Sequence, residues 1–65
     1  MIRIIKNPNF PQWFKIEFID KLGFFDIFDE VKGRGNALRI AKHLAEEQEV
    51  KHIDVDGFIA DTEDL

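Results

Sequence analysis

One helical segment lies between segments that alternate as β-strands do, and this order restricts the possible folds more than any other feature of the sequence. From residue 36 or 37 to about residue 49, apolar positions recur at the i, i+3, i+4, i+7 spacing of one helix face. The stripe consists of Ala37, Ile40, Ala41, Leu44 and Ala45, followed by the polar Gln48. Asn36 is the predicted N-cap. A sheet covered on one face by this helix is the simplest arrangement that buries the stripe.

Three strands are predicted before the helix, at residues 1–6, 13–20 and 24–31. The second of them, WFKIEFID, is rich in aromatic and β-branched residues that alternate with charged ones. The segment from Asp20 to Gly23 has the composition of a hairpin loop, because Gly23 can adopt positive φ. The second and third strands are therefore expected to pair.

The segment after the helix predicts a further strand and a terminal hairpin. Ile53 and Val55 alternate before Asp56-Gly57, which is a strong signal for a two-residue hairpin, so residues 58–60 are expected to fold back. The predicted fold is α+β: an antiparallel sheet of three to five strands with one helix packed on one face, in the order β-β-β-α-β, with or without the C-terminal hairpin. Residues 1–65 are expected to form a single domain.

The alternation assigns the strand residues to two faces of the sheet. The face toward the helix is predicted to carry Phe14, Ile16, Phe18, Phe25 and Ile27. The opposite face then carries the apolar residues Trp13, Ile19, Phe24 and Phe28. An uncovered aromatic patch of this kind is typical of a protein interface or of a platform that stacks nucleic-acid bases.

Acidic side chains on the same predicted face favour the protein interface. Glu17, Asp26 and Glu30 alternate with the rings and would repel a phosphate backbone. We therefore predict a protein partner or self-association. The interface residues are expected to be Trp13, Ile19, Phe24 and Phe28. In the alternative interpretation, residues 1–10 or the C-terminal tail fold over these rings and form a second small core.

The charges of the helix oppose its dipole, because the basic residues gather at its start and the acidic residues at its end. Each charge near a helix end contributes about 0.3–1 kcal/mol, here with the unfavourable sign. The basic group comprises Lys32, Arg34, Arg39 and Lys42. A glycine-rich turn that enters a helix beside these cations can bind an anion through free backbone amides, so the alternative function is nucleic-acid binding through this group. The other interpretation is a solvated face whose cations pair with Asp26, Asp29, Glu30 or the C-terminal acids.

Composition narrows the remaining classes of function. The net charge of −4 disfavours bulk binding to nucleic acid. The chain contains no cysteine, which excludes disulfides and thiolate metal sites and fits a cytoplasmic protein. No apolar run approaches the roughly 18 residues that a membrane span needs, and residues 1–10 lack the pattern of a signal peptide. We therefore expect a cytoplasmic protein with no membrane partner.

The sequence offers little for catalysis or metal binding. It contains neither serine nor cysteine, so the usual hydroxyl and thiol nucleophiles are missing, and Thr62 lies in an acidic tail. Asp54 and Asp56 resemble part of a calcium loop, but the third acid and the late glutamate of that loop are absent. His43 and His52 have no further histidine or cysteine to complete a site. We predict a non-enzymatic protein with no catalytic residue, cofactor or metal.

Three resemblances to known families are present. Residues 13–45, with WFKIEFID, a glycine turn, a second strand and a basic helix, resemble the arm-DNA-binding domain of tyrosine recombinases, which implies DNA contact from the sheet. GRGNALRIAKHLAEE is similar to the start of the second helix in double-stranded RNA-binding domains. ALRIAKHLAEE followed by IDVDGFIAD is similar to short uncharacterised bacterial and phage proteins that combine a sheet, one helix and a final hairpin. This last resemblance brings no known activity with it. By analogy of fold with small phage inhibitors of host defence, we expect a phage accessory or inhibitor protein.

Overall fold

In the computed structural model, a five-stranded sheet carries a helix across one of its faces. The structure describes the backbone of residues 1–65 and every side chain except those of Phe25 and Phe28. The elements in chain order are β1 (Ile2–Lys6), β2 (Trp13–Ile19), β3 (Phe25–Lys32), α1 (Arg34–Glu47), β4 (His52–Val55), β5 (Phe58–Asp61) and a short 3-10 turn (Thr62–Asp64).

The sheet has the strand order β3-β2-β1-β4-β5, with β1 in the centre. The predicted α+β class and the helix packed on the sheet are confirmed. One pairing differs from the expected antiparallel sheet, because β1 and β4 are parallel, with Ile2 opposite Ile53 and Ile4 opposite Val55. The reason is that α1 returns the chain from the end of β3 to the other end of the sheet, so β4 starts beside the start of β1.

The core lies between α1 and one face of the sheet. The helix contributes its alanine-rich stripe, in which Ala37, Ala41, Leu44 and Ala45 are buried and Ile40 packs against them. The predicted stripe is therefore confirmed up to the end of the helix. The sheet residues buried against it are Ile2, Ile4, Phe14, Ile16, Ile53, Val55 and Ala60.

A β-bulge between Ile16 and Glu17 changes the faces of β3. Ile16 is opposite Asp29, whereas its neighbour Glu17 is opposite Ile27, so one residue of β3 has no partner in the ladder. The prediction that Ile27 faces the helix is wrong: its side chain lies beside Glu17 on the open face and is 50% exposed. The same prediction for Phe25 concerns a side chain outside the described part of the chain.

Both predicted hairpin turns are present. In the first, Asp20 Oδ1 accepts the backbone N–H groups of Leu22 and Phe24, and Gly23 has a φ of 85°. In the second, Asp56 and Gly57 both have positive φ, as a type I′ turn requires, so β5 folds back onto β4.

The helix begins earlier than predicted. It starts at Arg34 and ends at Glu47, and Gly33 occupies the N-cap position without a side-chain cap. Asn36, the predicted cap, lies inside the first turn and donates from Nδ2 to the carbonyl of Lys32 over 2.9 Å. The first turn contains no acidic residue and the last turn no basic one, so the charge arrangement that opposes the dipole is present in the folded chain.

Candidate contact surface

The open face of the sheet, opposite α1, is charged in its middle. Arg3 on β1 donates from Nε and Nη2 to Oε1 of Glu17 on β2, at 3.2 and 2.9 Å. Asp54 follows next to Arg3 in the register of β1 and β4. Ile27 and Ile59 lie in the same row of residues, at its two outer ends. A partner that lay flat on this face would have to desolvate the charges first.

The four predicted interface residues do not form one patch. Trp13 begins β2 and Ile19 ends it, so the two lie about 20 Å apart along the strand. Phe24 lies in the turn just beyond Ile19 and is 70% exposed, whereas Trp13 is 40% exposed. The side chain of Phe28 lies outside the described residues. The exposed rings therefore divide between what we name the Trp13 end and the Ile19 end of the molecule.

The Trp13 end is built around a loop that presents a second ring. Asn7 Oδ1 accepts the backbone N–H groups of Asn9 and Phe10, and the N–H of Trp13 donates to the carbonyl of Phe10 over 2.8 Å. Two shallow hollows of about 290 and 330 Å³ share Phe10 and Trp13 in their linings. Lys32 contributes to one of them and Glu30 to the other. This end therefore offers two exposed rings beside charged groups.

The Ile19 end carries an apolar hollow of about 430 Å³ between the β2–β3 turn and the end of the helix. Asp20, Lys21 and Gln48 supply its polar part. Its apolar lining consists of Met1, Phe18, Ile19, Leu22 and Val50. Because the lining is mainly apolar and open to solvent, it can accept an apolar side chain from another molecule.

An acidic hollow of about 700 Å³ adjoins the apolar one, and Val50 lines both. Lys51 is the basic residue in its lining. Its carboxylates belong to Glu46, Glu49, Asp61 and Glu63. None of these four carboxylates forms a salt bridge with the described side chains. The Ile19 end thus combines an apolar depression with a negatively charged one.

The four basic residues predicted as an anion site do not converge. Lys32 lies opposite Trp13 at the end of β3, and Arg34 begins the helix. Arg39 donates to Oδ1 of Asn36 over 2.7 Å, and Lys42 donates to the main-chain oxygen of Leu65 over 3.3 Å. Among the described side chains, none of the four pairs with a carboxylate, so the expected pairing with nearby acids is not seen. Only Lys32 and Arg34 belong to the Trp13 end.

Neither terminus closes over the exposed rings. The residues from Ile2 to Lys6 form the central strand of the sheet instead of a flap over its face. Leu65 instead meets Lys42 of the helix. The alternative of a second core beneath the termini is therefore wrong for Trp13 and Phe24, both of which are exposed.

Sequence reasoning missed Phe10, Met1 and Leu22, which complete the two ends. Phe10 lies between two prolines in a segment without strand alternation, and this was the available signal for an exposed loop position. Asp54, considered above as a calcium ligand, accepts the N–H of Gly57 over 2.8 Å and so serves the hairpin. Within the described part of the chain, no three His, Cys, Asp or Glu side chains are grouped so that they could hold a metal.

Comparison with known proteins gives no match: the chain matches no protein-family model, no curated protein and no solved structure. Among the described residues, no helix has both the length and the apolar character needed to cross a membrane.

Proposed function

We propose that this domain is a non-enzymatic binding protein that acts through protein contact, with Trp13, Ile19 and Phe24 among its contact residues and Phe28 retained from the sequence prediction. The observation that carries the proposal is the exposure of Trp13 and Phe24 in a chain of 65 residues. A domain of this size buries only about 60% of its unfolded surface and depends on every apolar group it can bury. Rings left outside such a core are better explained by a partner than by stability.

The charge on the sheet favours a protein as that partner. The row that crosses the open face contains Glu17, Asp54 and a single cation, Arg3. A phosphate backbone laid along this row would compete with Glu17 for Arg3 and would meet the carboxylate of Asp54. Aromatic anchors at the ends of a strand, surrounded by charged groups, instead match the composition of protein interfaces.

The test is affinity capture with the wild-type domain and three single variants. Trp13→Ala and Phe24→Ala are expected to lose a partner that the wild-type domain retains, because each removes an exposed ring. Phe58→Ala is the matched control, since Phe58 is as exposed as Phe24 but lies on β5. A purified candidate must then bind the wild type and the control equally. Loss of all captured proteins in all three variants alike would contradict the proposal.

A second candidate function is nucleic-acid binding at the start of the helix. Lys32 and Arg34 favour it, because both are exposed and neither has a carboxylate partner among the described side chains. A mobility-shift assay with Lys32→Ala and Arg34→Ala distinguishes the two functions. Binding that weakens steeply with salt and is lost in these variants, but not in Lys21→Ala, would support a nucleic-acid ligand.

The proposal includes a cytoplasmic site of action and a role as an accessory or inhibitor protein of a phage or bacterium. Its support is compositional: the chain lacks cysteine and is rich in Phe, Ile, Asp and Lys. Cell fractionation of the tagged protein in its source cell tests the location. Recovery in the membrane or the medium would contradict it.

A further inference from the structure

The two ends of the molecule are opposite in charge. α1 runs in the same direction as β2, so the two termini of the helix lie at the two ends. β2 runs from Trp13 to Ile19, and α1 starts beside Trp13, where the N–H of Gly33 donates to the carbonyl of Gln12 over 2.7 Å. The helix ends beside Ile19, where Gln48 and Ile19 line the same hollow. The positive end of the helix dipole therefore lies at the Trp13 end and the negative end at the Ile19 end.

Side chains add to the dipole at both ends. At the Ile19 end, four carboxylates and one lysine line the acidic hollow, and the last helical turn contains no basic residue. At the Trp13 end, the first turn contains no acidic residue, and Lys32 and Arg34 are exposed there. Glu30 lines a hollow at this end, and Asp56 lies in the β4–β5 turn at the same edge of the sheet. Like ends of two copies therefore repel each other, and unlike ends attract each other.

The two ends also fit in shape. Phe10 and Trp13 are exposed beside the cations of one end. The other end offers an apolar hollow of about 430 Å³, directly next to the carboxylates. A group that places a ring in the apolar hollow would bring a neighbouring cation to the acidic hollow. The Trp13 end of this same chain has both parts.

We infer that the occupant of the Ile19 end is the Trp13 end of a second copy, so that the domain associates head to tail. The inference rests on the proposed function, since it names the partner for Trp13 and Ile19, two of the proposed contact residues. In the contact, Phe10 or Trp13 enters the apolar hollow, and Lys32 and Arg34 face Glu46 and Glu49. Because the two surfaces differ, the contact is heterologous and leaves one free end of each kind, so the copies form short chains or rings.

The association is weak and sensitive to salt. The Cα dimensions are 30 × 26 × 18 Å, so an end of the molecule offers only a few hundred Å², less than the roughly 800 Å² per partner of a standard interface. Exposed charges are screened beyond about 10 Å at 0.1 M salt. The contact therefore belongs to the transient class.

Head-to-tail contact also accounts for the charge order of the helix. In an isolated copy, Arg34 and Glu46 each lie at the unfavourable end of the dipole. In the assembly, the acidic end of one helix meets the basic end of the next, so the same residues become favourable. The arrangement weakens the monomer and strengthens the contact.

The experiment is sedimentation velocity at protein concentrations up to about 1 mM, at low salt and at about 0.5 M salt. One variant neutralises the basic end (Lys32→Gln with Arg34→Gln), and a second neutralises the acidic end (Glu46→Gln with Glu49→Gln). Each variant alone is expected to associate about tenfold more weakly than the wild type, because it removes two opposed charge pairs. Asp29→Asn with Asp54→Asn, which makes the same charge change as the acidic-end variant but in the middle of the sheet, is expected to leave association unchanged.

Mixing the two variants supplies the decisive measurement. The intact basic end of the acidic-end variant can dock on the intact acidic end of the basic-end variant, so the mixture is expected to form dimers and nothing larger. Three results would each overturn the inference. They are a mixture that stays monomeric, a wild type that stays monomeric at every concentration, and a control pair that weakens association equally. If association needs Trp13 and Phe24 but mixing the two variants does not restore it, the dimer has two-fold symmetry. The proposed function then stands, and this inference fails. If neither self-association nor a Trp13-dependent partner is found, both fail.

Discussion

Arg3 Nη2 lies 2.9 Å from Oε1 of Glu17, across two neighbouring strands in the middle of the open sheet face. Glu17 is only 6% exposed, whereas more than a third of the Arg3 side chain remains accessible. The carboxylate therefore depends on the guanidinium for its hydrogen bonds, while the guanidinium can still reach water. The pair fixes the register of β1 on β2 at a position where neither residue reaches the helix.

Replacing Arg3 is expected to destabilise the domain more than replacing both partners. Arg3→Met leaves a nearly buried carboxylate unpaired, at a loss of about 3 kcal/mol in the free energy of unfolding. Arg3→Met with Glu17→Leu removes the charge as well and is expected to recover most of that loss. Urea unfolding of the two variants and of Glu17→Leu gives the coupling energy. A loss below about 0.5 kcal/mol in Arg3→Met would show that the pair is only a surface ion pair.

The sequence predicted the helix and the strands better than it predicted which strands pair. The helix stripe and the Asp56-Gly57 hairpin depend on local periodicity and turn chemistry, and both were predicted. The central place of β1 and its parallel pairing with β4 depend on contacts between residues far apart in the chain, which no local pattern encodes. The bulge after Ile16 likewise leaves no sign in the alternation of β3.

The candidate surface, too, could be predicted from local sequence patterns only in part. Exposure of Trp13 could be expected from alternation, but the separation of Trp13 from Ile19 by the whole of β2 follows only from the strand's length and direction. Phe28 lies where its side chain is not described. The early start of the helix, at Arg34 instead of Asn36, was missed because Gly33 caps it with backbone geometry and no side-chain bond.

The bulge after Ile16 can be tested by replacing Ile16 and Ile27, each in a separate variant, with alanine. Ile16 is fully buried and Ile27 is half exposed. Ile16→Ala is expected to destabilise the domain by about 2–5 kcal/mol, and Ile27→Ala by less than about 1 kcal/mol. Denaturant unfolding of the two variants measures the difference. Ile16→Val, with an expected loss of about 0.5–1.5 kcal/mol, keeps the comparison measurable if Ile16→Ala does not fold. Equal losses at positions 16 and 27 would mean that the strands pair without a bulge.

The hairpin turn at Gly57 requires a residue without a β-carbon. Gly57 has a φ of 94°, so Gly57→Ala forces alanine into the left-handed region and is expected to destabilise by about 1–2 kcal/mol. Gly35→Ala is the control, because Gly35 is helical and an added β-carbon would meet no atom within 4 Å. That change is expected to stabilise by about 0.4–1 kcal/mol through the unfolded chain. Thermal unfolding that shifts in the same direction for both variants would contradict the assigned turn.

Reversing the charge at the helix start is expected to separate stability from association. Arg34 lies in the first turn, where the dipole favours an acid, so Arg34→Glu should raise the free energy of unfolding by about 0.5–1 kcal/mol. The same change removes a cation from the Trp13 end and should reduce head-to-tail association. Arg39→Glu, an equal change of charge beyond the first helical turn and at neither end of the molecule, is the control for both measurements. Urea unfolding and sedimentation velocity on the same samples test the two effects together. If Arg34→Glu destabilised the monomer, Arg34 would stabilise the isolated copy, and the premise that its charge opposes the helix dipole at a cost would be wrong.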